Sequence, residues 1–144
     1  MKAKILILED DPAVLMPMVD LLEAEDFEVH VAANGKIGLE LAEEVEPDLI
    51  VSDIMMPEMD GIEVFKELQK DAHLSVIPFI FLTAKTDPSD VRTGLGLGAD
   101  DYLTKPFEAD DLLKSIRVRL EKYQRISEAA LNITGNEDFD QIFI

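Results

Sequence analysis

Three acids in succession, Glu9-Asp10-Asp11, follow the apolar run Ile5–Leu8, and another acid, Asp53, stands just after the run Leu49–Val51. Thr83 follows the run Ile77–Leu82, and Lys105 lies just past Tyr102-Leu103. Two carboxylates about 5 Å apart repel by roughly 3 kcal/mol at an effective dielectric of about 20. Acids gathered in one place therefore keep a proton or hold a cation. An all-oxygen donor set without His or Cys suits Mg²⁺, which retains several waters and leaves room for phosphate oxygens. A metal, the Lys105 ammonium and the Thr83 hydroxyl would together neutralise a transferring phosphoryl group. Asp53 is then the natural nucleophile.

Each residue also has a plainer role. Asp11 suits a helix N-cap, with Pro12 at the first helical position. Asp10 could sit in a turn, and Asp53 could cap the next helix. Thr83 could be strand-end polarity, and Lys105 a solvated charge. Coincidence argues against these readings, because all the residues follow successive apolar runs.

The elements that must position them are legible. The runs Ile5–Leu8, Val29–Ala32, Leu49–Val51, Ile77–Leu82 and Tyr102-Leu103 are near-continuous, as buried parallel strands are. Helical spacing links Val14, Leu15, Met18, Leu21 and Leu22, then Ile37, Leu41 and Val45. It also links Ile62, Phe65 and Leu68, and Leu112, Leu113, Ile116 and Leu120. Alternating strands and helices predict an α/β domain with a parallel sheet covered on both faces. Ligands then bind beyond the C-terminal strand ends, where these acids, Thr83 and Lys105 fall. Pro17 predicts a kink in the first helix. Asn34-Gly35, Glu46-Pro47 and Asp60-Gly61 are turn or cap signals. Residues 87–97 read as a weak helix, loosened by Gly94 and Gly96 and capped by Gly98. The last helix is expected to run to about Leu131.

Composition narrows the function. Thirteen Lys and Arg against 31 Asp and Glu give a net charge of −18, which repels nucleic acid and anionic lipid. A hydrophobic fraction of 47% demands a real core rather than a disordered acidic tail. The absence of Cys excludes disulfides, thiolate metal sites and Cys nucleophiles. His30 and His73 alone leave little for a zinc site or a catalytic triad. No apolar run reaches membrane-spanning length, and only four apolar residues follow Met1-Lys2-Ala3-Lys4 before Glu9, too few for a signal peptide. The chain reads as a soluble, cytoplasmic protein that does not engage membranes.

Four fragments, in order, carry a family resemblance. They are Lys4-Ile-Leu-Ile-Leu-Glu-Asp-Asp-Pro12, the stretch Pro47–Gly61 with Asp53 and Met55-Met-Pro57, Phe81-Leu-Thr-Ala84, and Gly98–Phe107. Together they resemble the receiver domain of two-component response regulators, over about residues 3–122. The resemblance implies a flavodoxin-like sheet of five parallel strands, ordered 2-1-3-4-5, with helices on both faces. Residues 1–122 would be the receiver domain. Residues 123–144 would extend the last helix into a linker or the start of an effector region. It implies that Asp53 accepts a phosphoryl group from a sensor histidine kinase, an autocatalytic acceptor rather than a turnover enzyme. Asp10, Asp53 and the Met55 carbonyl would bind Mg²⁺, with Glu9 at the outer acidic position through water. Thr83 and Lys105 would grip the phosphoryl oxygens, with Lys105-Pro106 cis. Tyr102 would turn inward as Thr83 moves toward the phosphate.

The implied output face comprises the fourth helix, fifth strand and fifth helix. One subfamily forms homodimers there through charged pairs. Asp101 and Asp111 fit that pattern, whereas Val91, Leu97 and Ser115 stand where charges are usual. Output, taken as control of transcription, would lie in a DNA-binding effector beyond this segment; a stand-alone regulator is the alternative. Met55 and Lys85 would border the path of a hydrolytic water. Met55 cannot orient water, and Lys85 cannot act as a base while charged, which predicts a long-lived phosphorylated state.

Other functions fit these residues less well. An interaction module that had lost the chemistry would lack Asp53, Asp10 or Lys105, and all are present. An aspartate-nucleophile phosphohydrolase would want an acid two residues after Asp53, where Met55 stands. A flavin carrier would want a Ser/Thr/Gly phosphate loop where Glu9-Asp10-Asp11 would repel it.

Overall fold

A computed structural model describes residues 2–84, 96 and 98–135. The predicted weak helix at 87–97, with Val91 and Leu97, and Lys85 lie outside the described residues. Strands β1 (Lys4–Leu8), β2 (Glu28–Ala32), β3 (Leu49–Asp53), β4 (Phe79–Ala84) and β5 (Asp101–Lys105) form one parallel sheet. Its order is β2-β1-β3-β4-β5, as the resemblance implied. Helices α1 (Pro12–Ala24), α2 (Gly35–Val45), α3 (Gly61–Gln69) and a C-terminal helix (Ala109–Gly135) cover it.

Strand alternation divides the core in two. Leu6, Leu8, Ile50, Phe79 and Phe81 face α2 and α3, where Phe65, Phe79 and Phe81 pack ring against ring. Ile5, Ile7, Leu49, Val51, Ile80 and Leu82 face α1 and the C-terminal helix, meeting Met18, Leu22, Leu112 and Ile116. The central strand β3 is buried at every position, which is why its sequence runs apolar up to Ser52 and Asp53.

The helix ends follow their caps. Asp11 Oδ1 accepts from the Ala13 N–H at 2.9 Å and Asn34 Oδ1 from Ile37 at 2.9 Å. Asp60, not Asp53, caps α3, in a reciprocal box with Glu63. Glu46 ends α2 in the left-handed conformation at φ 52°.

Helix α1 carries Pro17 inside it. The proline lies in the second turn and is exposed, so its ring meets solvent and only one intrahelical bond is lost. Helix α2 buries Gly35, Gly38 and Ala42, with Gly38 against β1 and Leu41 half-buried beside the same core, while Ile37 is 45% exposed. The approach is close enough that a Cβ on Gly38 would sit 2.4 Å from Leu8 Cδ2. Small residues, invisible to a search for apolar periodicity, set that face. The last helix continues past Leu131 to Gly135.

Candidate functional site

Strand ends assemble the site. Glu9 prolongs β1, its N–H donating to the Ala32 carbonyl at 3.0 Å, and Asp53 is the last residue of β3. Lys105 ends β5, and Thr83 lies beside the end of β4. By alternation Glu9, Asp53 and Lys105 all point to the face covered by α1 and the C-terminal helix. Thr83 and Tyr102 share the opposite face, on neighbouring strands whose register pairs Phe81 with Tyr102 and Thr83 with Thr104.

Lys105 Nζ lies 2.9 Å from Asp53 Oδ2, in a hydrogen bond, and 2.9 Å from Glu9 Oε1, in an ion pair. The Lys105-Pro106 bond is cis. Glu9 is 0% exposed, and its Oε2 accepts the Asp11 N–H at 3.1 Å. Its Oε1 touches the ammonium but has no aligned hydrogen-bond donor. Burial pushes the Glu9 carboxyl above its ordinary 4.5, against the pull of Lys105 and the Asp11 N–H. Burial alone would lower Lys105, but the Glu9 and Asp53 carboxylates outweigh it and hold the ammonium above its ordinary 10.5.

The remaining site residues lie close by. Asp10 is exposed at the mouth of the cluster. Met55 is 69% exposed, and its N–H donates to Asp53 Oδ1 at 3.3 Å. Thr83 is buried, its hydroxyl donating to the Ala84 carbonyl at 3.4 Å rather than to Asp53. Tyr102 is 38% exposed.

Glu9, Asp10 and Asp53 each offer a carboxylate oxygen within 4.8 Å of the others. Three anions thus face one ammonium, and one buried oxygen lacks an aligned donor. All available donors are hard oxygens, so the residues fit Mg²⁺.

A family model described as "Response regulator receiver domain" matches residues 5–117. The chain belongs to the response regulator receiver domain family. It is 38% identical over 140 residues to the DNA-binding response regulator MtrA of Mycolicibacterium smegmatis, covering 97% of this chain and 60% of MtrA. It is 40% identical over 118 residues to Protein PilH of Pseudomonas aeruginosa, covering 82% of this chain and 98% of PilH. Among solved structures it resembles the receiver domain of a sensor histidine kinase from Pseudomonas aeruginosa. That match has a TM-score of 0.78 and 27% identity, and covers 84% of this chain and 99% of the other. The kinase receiver is described with a magnesium ion coordinated in its active site cleft. The chain therefore spans about three-fifths of MtrA and nearly all of PilH. Among the described residues no helix is long and apolar enough to cross a membrane.

Several residues that shape this region carry little signal in the sequence. Ser52 is fully buried, and its hydroxyl donates to the Asp53 carbonyl at 2.9 Å. Its one signal is a polar residue inside the buried run Leu49–Asp53. Gly61 approaches so closely that a Cβ there would sit 2.2 Å from the Asp53 carbonyl oxygen. At the far end of β5, away from this region, Asp101 accepts the Ser115 hydroxyl at 2.7 Å and lies 3.7 Å from Arg119.

Proposed function

We propose that this receiver domain is a phosphorylation switch whose acceptor is Asp53. The observation that carries the reading is one ammonium, Lys105, held 2.9 Å from both Asp53 and Glu9 in a cluster of three carboxylates. The donor is a phosphohistidine on a sensor histidine kinase. An Asp53 carboxylate oxygen forms the new O–P bond as the P–N bond breaks. The donor imidazole keeps the electron pair and takes a proton from solvent. Lys105 and Thr83 neutralise the transferred oxygens. Asp10, Asp53 and the Met55 carbonyl would hold Mg²⁺, with Glu9 behind them. Bound there, Mg²⁺ supplies positive charge against the phosphoryl oxygens.

Phosphate adds about −1.5 to −2 charge to an already acidic pocket. Thr83 is drawn from its contact with Ala84 toward that charge, and Tyr102, on the same face of the sheet, follows into the vacated space. The fifth strand and the last helix would form the responding face, which would also serve a homodimer. The likeness to MtrA supports transcriptional output through a DNA-binding region outside this segment. PilH, which this chain matches over nearly its whole length, supports a stand-alone regulator as the second reading.

Incubation with a small acyl-phosphate donor and Mg²⁺, followed by intact mass measurement, tests the reading. One added phosphoryl group is expected, and none after addition of a chelator. Equal uptake without metal would remove Asp10 from the proposed role.

A further inference from the structure

Asp53 still pairs with Leu82 of β4, but on its other side it stands one residue past the end of the β1–β3 ladder. The β1–β3 register closes with Leu8 opposite Ser52, so Asp53 has no paired residue on β1. Its carbonyl is nevertheless enclosed, since Asp53 is only 7% exposed and α3 begins against it. A buried carbonyl needs a donor, and the Ser52 hydroxyl supplies one at 2.9 Å. The next carbonyl, that of Ile54, accepts the Gly61 N–H at 2.9 Å.

We propose that Ser52 is a positioning residue for the phosphoacceptor, holding the Asp53 carbonyl where the β1–β3 ladder no longer does; the inference rests on Asp53 being the acceptor. The peptide that leaves Asp53 fixes two things together. It sets the direction of the Asp53 side chain toward Lys105, and it sets the path to Met55, whose N–H donates to the same carboxylate. Released, that peptide can tilt and carry both away from the ammonium. A Cβ on Gly61 would lie 2.9 Å from Ser52 Oγ, so the absence of a side chain at Gly61 is what gives the hydroxyl its space. Ser52 itself points to the α2–α3 face, away from Glu9 and Lys105, and does not touch the transferred group.

The test uses the intact chain and compares Ser52→Ala with Ser115→Ala. Ser115→Ala also removes a buried hydroxyl donor, but one that binds Asp101, away from the acceptor. Both variants should lower the thermal midpoint. Only Ser52→Ala should also slow phosphorylation by a small acyl phosphate, about fivefold, the rate equivalent of one net hydrogen bond. It should weaken Mg²⁺ binding measured by calorimetry to a similar extent. If Ser52→Ala does not fold, Ser52→Cys, near in size and a weak donor, takes its place with the same expectations. Parental rate and Mg²⁺ affinity in the folded Ser52 variant would make the hydroxyl merely structural and overturn the proposal. Asp53→Asn run in parallel keeps the acceptor assignment separate: phosphate uptake by that variant overturns the assignment itself, whatever Ser52 does.

Discussion

The two edges of the sheet use the same residue types in opposite ways. At the N-terminal edge Asp48 accepts the Lys4 N–H at 2.7 Å, and Asp100 accepts the Phe79 N–H at 2.8 Å. Each carboxylate there satisfies the first backbone donor of a neighbouring strand. The Glu46–His73 pair beside them is exposed and local, at 2.9 Å. At the C-terminal edge, Glu9 and Asp53 are buried and share one ammonium, and a Glu9 oxygen has no aligned donor. At the N-terminal edge the carboxylates have donors, and among the described residues the unpartnered buried atom near it is a cationic one, Arg119 Nε; at the C-terminal edge it is a carboxylate oxygen, Glu9 Oε1. A surplus of buried negative charge persists only where the rest of the fold sustains it, and it is at this edge that the proposed acceptor lies.

The largest expected effect separates the edges outright. Asp53→Asn should abolish phosphoryl uptake by intact mass while leaving a cooperative unfolding transition, because the amide keeps the shape and loses the nucleophile. Asp48→Asn should leave uptake at the parental level. A smaller effect concerns the exposed Met55. Met55→Asn offers a group that can orient water, and phosphate loss should quicken several-fold, short of the roughly hundredfold at which full general acid–base assistance begins. Unchanged or slower loss would mean that Met55 does not limit water access.

The next effect should fall on the opposite edge. Asp100→Ala orphans the buried Phe79 N–H and should cost about 1–3 kcal/mol in denaturant unfolding, with uptake intact. Glu9→Gln should behave in the reverse sense when metal is chelated. Burial raises the Glu9 pKa, so its ionised form opposes folding. That cost is absent below pH 4.5, the ordinary value, and grows as pH rises through the higher folded value. The variant should therefore match or exceed the parent in thermal midpoint at neutral pH, with the difference closing in acid. A marked loss at neutral pH would mean that the Lys105 contact outweighs burial.

The smallest effect is a pH signature of the N-terminal edge. The Glu46 carboxylate raises the His73 pKa above 6.5. Its stabilising contribution is complete below pH 6.5 and lost as pH rises through the folded value. Thermal midpoints of parent and His73→Asn should converge at alkaline pH. A gap that stays constant with pH would show that the pair contributes through packing.

Much of this contrast is legible in the amino-acid sequence alone. Apolar runs without alternation mark the parallel strands, and Asp11-Pro12 marks the start of α1. The grouping of Glu9, Asp10, Asp53, Thr83 and Lys105 follows from their positions at strand ends. What stays hidden depends on partners far along the chain. Asp48 and Lys4 are 44 residues apart, and Asp100 and Phe79 are 21 apart, so their carboxylates give no local signal. The packed face of α2 is hidden because Gly38 and Ala42 make it by their smallness. The depth of Glu9 is hidden because an acid beside two others reads as a surface, until the odd-numbered face of β1 turns it inward.

Locating the phosphoryl group tests the central claim most directly. After incubation with an acyl-phosphate donor and Mg²⁺, borohydride reduction converts an aspartyl phosphate to homoserine, and peptide mass mapping finds the position. The account predicts conversion of Asp53 alone, dependent on both donor and metal. Conversion at Asp10, at Asp11 or at the N-terminal-edge acids Asp48 and Asp100, with Asp53 unchanged, would contradict it.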